Sequence, residues 1–231
     1  MCPSIDKGLA GRAFVAIWHD IAEEGKTAYY EWHNREHMPE RMAITGFRRG
    51  RRYVAERGTP EYFNLYEVDS PDVLTDDEYL TRLNNPTPRT REVLPYFRNT
   101  SRLLCRLGAS IGGSQGGAIL TIRFDVARGR EEACWRFLTE AALPATYGRV
   151  GIVGAHFGVT DQTSSAIDTE EGKMRGGILR LPGWVILVEG ISPAWLERAA
   201  SEALNDEALR GGGALDPMER GTYRLECSRE G

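Results

Sequence analysis

The segment Ala13-Phe-Val-Ala-Ile-Trp-His-Asp-Ile21 returns as Ala118-Ile-Leu-Thr-Ile-Arg-Phe-Asp-Val126, 105 positions later. The same spacing carries Met38-Pro39 onto Leu143-Pro144 and Gly46-Phe47 onto Gly151-Ile152. Further along the spacing is 122: Leu65-Tyr66-Glu67 onto Leu187-Val188-Glu189, Ser70-Pro71 onto Ser192-Pro193, Arg102 onto Arg224 and Cys105 onto Cys227. Two constant spacings with one change predict a duplicated chain. The change corresponds to a net insertion of 17 residues in the second copy, between Phe157 and Pro182. The segment 158–182 is rich in glycine, serine and charge, so it reads as a long surface loop that is either mobile or clasps another surface.

Within each copy the pattern predicts β-α-β-β-α-β. In the first, strands fall at 13–21, 47–55, 61–69 and 100–107. A helix at 22–38 stops before Pro39, because a residue ahead of proline avoids helical geometry. A second helix starts at Ser70-Pro71, with proline at its first position. The second copy reads 118–127, 130–147, 151–160, 183–191, 193–210 and 222–228. The tract 108–117 has the composition of a flexible tether. The predicted domains are therefore 1–110 and 111–231. The fold class is α+β: two tandem ferredoxin-like βαββαβ repeats, each covering the open sheet of the other as an internal pseudo-dimer and α/β barrel.

Composition narrows the function. The net charge of −4 gives no electrostatic basis for binding nucleic acid. No apolar run approaches the ~20 residues that cross a bilayer, so no membrane partner is expected. The N-terminal stretch lacks a signal-peptide pattern, which makes cytoplasmic the expected location. No cysteine pair has CxxC spacing, so the four cysteines read as buried reduced thiols. The glycine tract 112–117 lacks the lysine of a phosphate loop.

Strand alternation divides the faces. It turns Val15, Ile17 and Ile21 toward the helices, with His19 the exception, and Phe14, Ala16, Trp18 and Asp20 into the barrel. Leu103, Cys105 and Cys227 are expected to meet the helices. The lumen is expected to hold Trp18, Arg51, Arg102, Arg106, Arg123, His156 and Arg224. Of these Trp18, Arg51, Arg102, Arg123, His156 and Arg224 are the candidate substrate-binding residues. Guanidinium groups match a carboxylate, so the expected partner is a small, anionic substrate. A homodimer is left open.

The segment Trp32-His33-Asn34-Arg35-Glu36-His37-Met38-Pro39 is asymmetric between the copies. Its counterpart keeps proline but places Leu138, Ala141 and Ala142 where His33, Glu36 and His37 stand. A purely structural need would be met alike in both copies. His33, His37 and Glu36 are therefore the candidate catalytic residues, with imidazole suited to proton transfer near neutral pH. His37 is expected in the last helical turn, where the helix dipole favours the protonated form. The motif also spells H-x-x-E-H of inverted zinc peptidases, but that site needs a further carboxylate ligand on another helix. No metal site is predicted.

These residues resemble the His-x-x-x-His-x-Pro signature of EthD-like proteins in the dimeric α/β-barrel superfamily. The resemblance implies a catabolic, cofactor-independent enzyme with His33 and His37 as functional residues. The expected function is acid–base chemistry, as a lyase, isomerase or hydrolase, on a carboxylated or aromatic metabolite. The alternatives are a cofactor-free oxygenase, or a haem- or small-ligand-binding protein without turnover.

Overall fold

The structure, a computed structural model, describes residues 8–176 and 181–231. Cys2 and residues 177–180 of the 158–182 segment lie outside the described residues. Eight strands, β1 (Ala13–Ile21), β2 (Phe47–Gly58), β3 (Tyr62–Val68), β4 (Phe97–Ile111), β5 (Ala118–Val126), β6 (Ile152–Thr160), β7 (Trp184–Gly190) and β8 (Ala214–Glu230), close one barrel in the order β1-β3-β2-β8-β5-β7-β6-β4. Every neighbouring pair is antiparallel. This is an α+β fold of the ferredoxin-like barrel kind. Two stacked sheets would each leave open edges; β4 reaches past its own half to pair with β6, and β8 with β2, so the barrel has none. Residues 108–111, expected as tether, belong to β4.

The helices are α1 (Lys26–Trp32), α2 (Met38–Met42), α3 (Asp77–Asn84), α4 (Pro88–Val93), α5 (Glu131–Phe137), α6 (Leu143–Tyr147), α7 (Gln162–Ser165), α8 (Glu170–Met174), α9 (Pro193–Ala203) and α10 (Asp206–Gly212). Between α1 and α2 the chain makes a π-helical turn, His33–His37; another, Leu138–Ala142, joins α5 to α6. The helix expected to stop at Met38 therefore runs on to Met42. Proline lacks an N–H and its ring strikes the carbonyl four residues back. The π turn shifts the bonding by one residue, with Met38 N–H donating to the His33 carbonyl, and accommodates Pro39. After each helix pair the backbone turns at a glycine of positive φ, Gly46 at 89° and Gly151 at 83°.

Strand register relates the halves residue by residue. Ile17 faces Asn64 as Ile122 faces Ile186, and Val15 faces Tyr66 as Leu120 faces Val188. Arg52 faces Asn64 as Phe157 faces Ile186. These pairings reproduce the spacings of 105 and 122. The last strand departs from them. Cys105 opposes Phe14, while Tyr223 opposes Ile119, so Cys105 corresponds to Tyr223 and not to Cys227.

Three layers of core result. The lumen is packed by Phe14, Trp18, Tyr53, Phe63, Leu65, Leu103, Cys105, Ile119, Leu187 and Tyr223, among others. Leu103 and Cys105 were expected on the helix side. A closed barrel excludes water as fully as a helix–sheet interface does, so apolar residues fill both faces and polarity alone does not identify the outer one. Outside the barrel, α5, α6, α9 and α10 cover the second half with one continuous apolar cluster. The corresponding layer of the first half is divided into two clusters.

The inserted segment folds as α7 and α8. Asp161 accepts from Ser164 N–H and Thr169 from Gly172 N–H, capping the two short helices. It clasps the first half. Ser165 Oγ accepts from Leu104 N–H at 2.9 Å, and Asn84 Oδ1 accepts from Glu170 N–H at 3.2 Å. Among the described residues no helix is long and apolar enough to cross a membrane.

Candidate functional site

The polar material that divides the apolar layer of the first half lies between α1–α2 and the outer face of the sheet. Tyr29, Trp32, His33, His37, Met38 and Arg41 are the inward face of this helix. His33 and His37 are almost fully buried, with ring centroids 5.6 Å apart. Arg52 Nη1 lies 3.1 Å from His33 Nδ1. A guanidinium can only donate, so Nδ1 accepts and Nε2 carries the proton. That N–H points to the Tyr66 hydroxyl at 3.2 Å. His37 lies against the Trp32 indole, centroid to centroid 4.3 Å, and its Nδ1 has no hydrogen-bond partner among the described residues. His19 completes the group, with Nε2 between Asn64 Nδ2 at 3.0 Å and the Tyr29 hydroxyl at 3.3 Å.

Beside His37 stands a cluster of guanidiniums. Arg41, from α2, donates to Glu171 of the inserted segment. Arg175 donates to the other oxygen of Glu171 at 2.9 Å and lies over the Phe97 ring. Arg102, from β4, donates to the Tyr79 hydroxyl at 2.6 Å. Arg41 and Arg175 share one buried carboxylate; Glu40, 3.9 Å from Arg41, sits at the rim. The cavity they line with Val15, Ile17, Phe47, Tyr66 and His37 is only about 10 Å³, the room of about one water molecule.

Burial disfavours charge on the imidazoles, and the guanidiniums add to it. Burial, then Arg52, holds His33 well below the usual histidine range; burial, then Arg41, does the same to His37. His19 is pushed down to about 3, first by burial and then by Arg175. All three are neutral at pH 7. The expected dipole-stabilised cation at His37 does not form, because the helix continues past it and desolvation outweighs the dipole. Burial and the neighbouring Arg41 and Arg102 lower Arg175 against the pull of Glu171, a sign of crowded positive charge.

The same backbone in the second half carries none of this. At the corresponding positions Phe124 stands for His19, Cys134 for Tyr29, Leu138 for His33, Ala142 for His37, Phe157 for Arg52, Ile186 for Asn64 and Val188 for Tyr66. All seven belong to the continuous apolar cluster. Thr146, at the position of Arg41, closes its hydroxyl onto the Ala142 carbonyl. The fold therefore packs without the polar group.

The other sequence candidates disperse. Trp18, Arg51, Arg123 and His156 do face the lumen, on the far side of the sheet from His33 and His37. There they serve buried contacts. Arg51 bridges Glu67 and Glu189, His156 Nδ1 meets Ser110 Oγ at 2.7 Å, and Arg123 lies 4.3 Å from the centroid of Trp18. Arg51 and His156 hold Glu189 down to about 2 despite its burial. Arg102 was expected in the lumen; it opposes Ile17 and so joins the helix-side cluster. Arg224 was expected there too, but it is exposed on the outer face and paired with Glu56. Glu36 is not at the site: it accepts from the Thr87 hydroxyl and braces the start of α4 instead of orienting an imidazole. Sequence reasoning missed Arg41, Arg52 and Tyr66, which the contrast with Thr146, Phe157 and Val188 could have found. No such signal exists for Glu171 and Arg175, whose segment has no counterpart.

A haem does not fit this group. The enclosed space is far below the ~300 Å³ at which small-molecule pockets begin, both nitrogens of His33 are engaged, and His37 packs against Trp32 with the rings tilted by 33°. Among the described residues no three His, Cys, Asp or Glu side chains gather as a metal-holding group.

No protein-family model and no curated protein matches the chain. Solved structures do. An anthrone oxidase-like protein superposes with a TM-score of 0.63 at 10% identity, over 94% of this chain and 92% of that one. A candidate monooxygenase of Fusobacterium nucleatum gives 0.60 at 9% identity over 96% of each chain. A candidate chlorite dismutase gives 0.55 at 12% identity, over 94% of this chain and 95% of that one. At such identities the likeness is one of fold.

Proposed function

We propose that this chain is a small-molecule enzyme descended from a fused pair of ferredoxin-like units, with its active site in the first half at His33, His37 and Arg41. The observation that carries the reading is the replacement of the whole polar group by an apolar core in the second half. Burying imidazoles and guanidiniums costs free energy, and the corresponding layer of the second half does without them. A function that needs those groups supplies the reason they persist.

The chemistry is proton abstraction by a neutral imidazole. His37 has an unpartnered nitrogen and is held neutral, so it can accept a proton from an acidic C–H or O–H of the substrate. The guanidiniums of Arg41 and Arg102 stabilise the resulting anion. The names of the similar structures favour oxygen as the reaction partner over the lyase, isomerase or hydrolase reading of the sequence. In that case the substrate is an anthrone-type ring carrying a carboxylate, and it reaches His37 only when the pocket opens beyond its volume of about 10 Å³. Its carbanion adds O2, and the hydroperoxide, protonated from His37, loses water to leave a ketone. The CH2 carbon is oxidised by two electron pairs, O2 supplies the carbonyl oxygen, and its second oxygen leaves as water. No cofactor is required by this balance. Oxygen uptake with such an anthrone, followed in the native chain and in His37→Ala, tests it. Uptake that survives the substitution rejects His37 as the base.

A further inference from the structure

The pocket beside His37 is shut by a carboxylate belonging to the chain itself. Glu171 arrives on α8, in the segment that has no counterpart in the first half, where only residues 59–61 join β2 to β3. Its two oxygens span Arg41 and Arg175. We propose that Glu171 is an internal stand-in for the carboxylate of a ligand, and that the segment carrying it is a plug which a small aromatic carboxylate displaces. This rests on the reading of the same pocket as the functional site and names its ligand class.

Two further observations carry the argument. The first is how the plug is seated. From 161 to 176 the buried residues are Ser165, Thr169, Glu171 and Arg175, all polar. The segment is held mainly by hydrogen bonds and one ion-pair network, with Met174 its partly buried apolar contact, which places its opening at the low-energy end of local unfolding. The second is what it covers. Withdrawing Glu171 leaves Arg41 with only the rim carboxylate of Glu40. The cleft then presents Arg41 and Arg102, floored by His37 and walled by Phe47, Tyr66 and Tyr79. Phe97, on which Arg175 now lies, is uncovered with them. Guanidiniums matched to a carboxylate, set among aromatic rings, select a planar aromatic acid over an aliphatic or neutral one. Its carboxylate takes the place of Glu171, and its ring lies toward His37.

The test uses the full chain and benzoate as the probe, with benzamide as the uncharged control. Removing the internal competitor raises the population of open pocket, so Glu171→Gln should bind benzoate about tenfold more tightly than the native chain. Arg41→Gln should bind it no better than benzamide. In the native chain, benzoate should speed amide hydrogen exchange across 161–176, a measurement that stands even where Glu171→Gln fails to fold. Equal or weaker binding by Glu171→Gln overturns the proposal, as does exchange across 161–176 that is unchanged or slowed by benzoate. These readouts need no turnover. Failure here with turnover still lost in His37→Ala removes the plug alone; displacement by benzoate with turnover intact in His37→Ala removes the catalytic reading alone.

Discussion

The helix pair α1–α2 and its counterpart α5–α6 follow the same path, each through a π turn and a proline, onto the same face of the barrel. One buries His33, His37 and Arg41; the other buries Leu138, Ala142 and Thr146. The second shows what the architecture asks for, which is apolar filling of about the right volume. The first shows what is added to it. Because the backbone is shared, the difference isolates the polar chemistry from the requirements of folding. A single-copy protein offers no such internal control.

The comparison breaks most sharply at His37. His37→Ala gives the first half the residue its partner position already has, so it should fold, with a melting temperature close to that of the native chain. Turnover should fall by about 10²- to 10⁴-fold, the usual contribution of a positioned general base. Steady-state oxygen uptake checks the first expectation and thermal unfolding the second.

Glu171→Leu probes the carboxylate that the second half sets against the first. Removing one partner leaves buried guanidiniums uncompensated, at a cost of about 3–5 kcal/mol. Urea unfolding of the two proteins measures it. A loss below about 1 kcal/mol, the worth of a surface pair, would mean that the network is hydrated in solution.

Acid should act on one half more than the other. His19, His33 and His37 have folded-state pKa values below the unfolded value of about 6.5. Below that pH the unfolded chain binds more protons than the folded one, so stability is fully present above about pH 6.5 and is lost as pH falls. Each histidine contributes a slope of up to about 1.4 kcal/mol per pH unit. Denaturant titrations at pH 7.5 and 5.5 should show it. The double change His33→Leu, His37→Ala, which copies the second half, should remove about two thirds of the histidine slope.

The smallest effect is the reverse transplant. Leu138→His buries an imidazole with no guanidinium or tyrosine beside it, since Phe157 and Val188 stand where Arg52 and Tyr66 would be. It should cost about 1–3 kcal/mol. A stability equal to that of the native chain would show that the second-half layer tolerates polarity, and the contrast between the halves would lose its force.

Much of the fold was legible in the amino-acid order. The positions of β1, β3, β5 and β7, of α1, α2, α5, α6 and α9, and the site of the insertion follow from alternation, proline placement and two constant spacings; the helix expected at Ser70-Pro71 is a 3-10 turn there, and α3 starts only at Asp77. The face of β1 was legible because Val15, Ile17 and Ile21 alternate cleanly with Phe14, Ala16 and Trp18. The face of β4 was not. Both its sides are buried, and an arginine such as Arg102 can end in either layer. Of the candidate site, His33 and His37 were visible as a difference between copies, whereas Glu36 was a misleading neighbour in sequence: Thr87, distant along the chain, is its partner in space.

The sequence by itself determined that two stretches of the chain share one order of strand and helix patterns, that the first carries His33 and His37 where the second has Leu138 and Ala142, and that one connection is longer. Those properties are local in the chain and survive in any arrangement of the units. Only the tertiary structure decided that the sheets close into one barrel, that the sheet stands between the histidines and Arg51, Arg123 and His156, and that the long connection crosses back to set Glu171 against Arg41. Each is a meeting of residues far apart in sequence. Which charges meet, and whether water reaches them, depends on closure and packing, and those set the neutral state of His33 and His37.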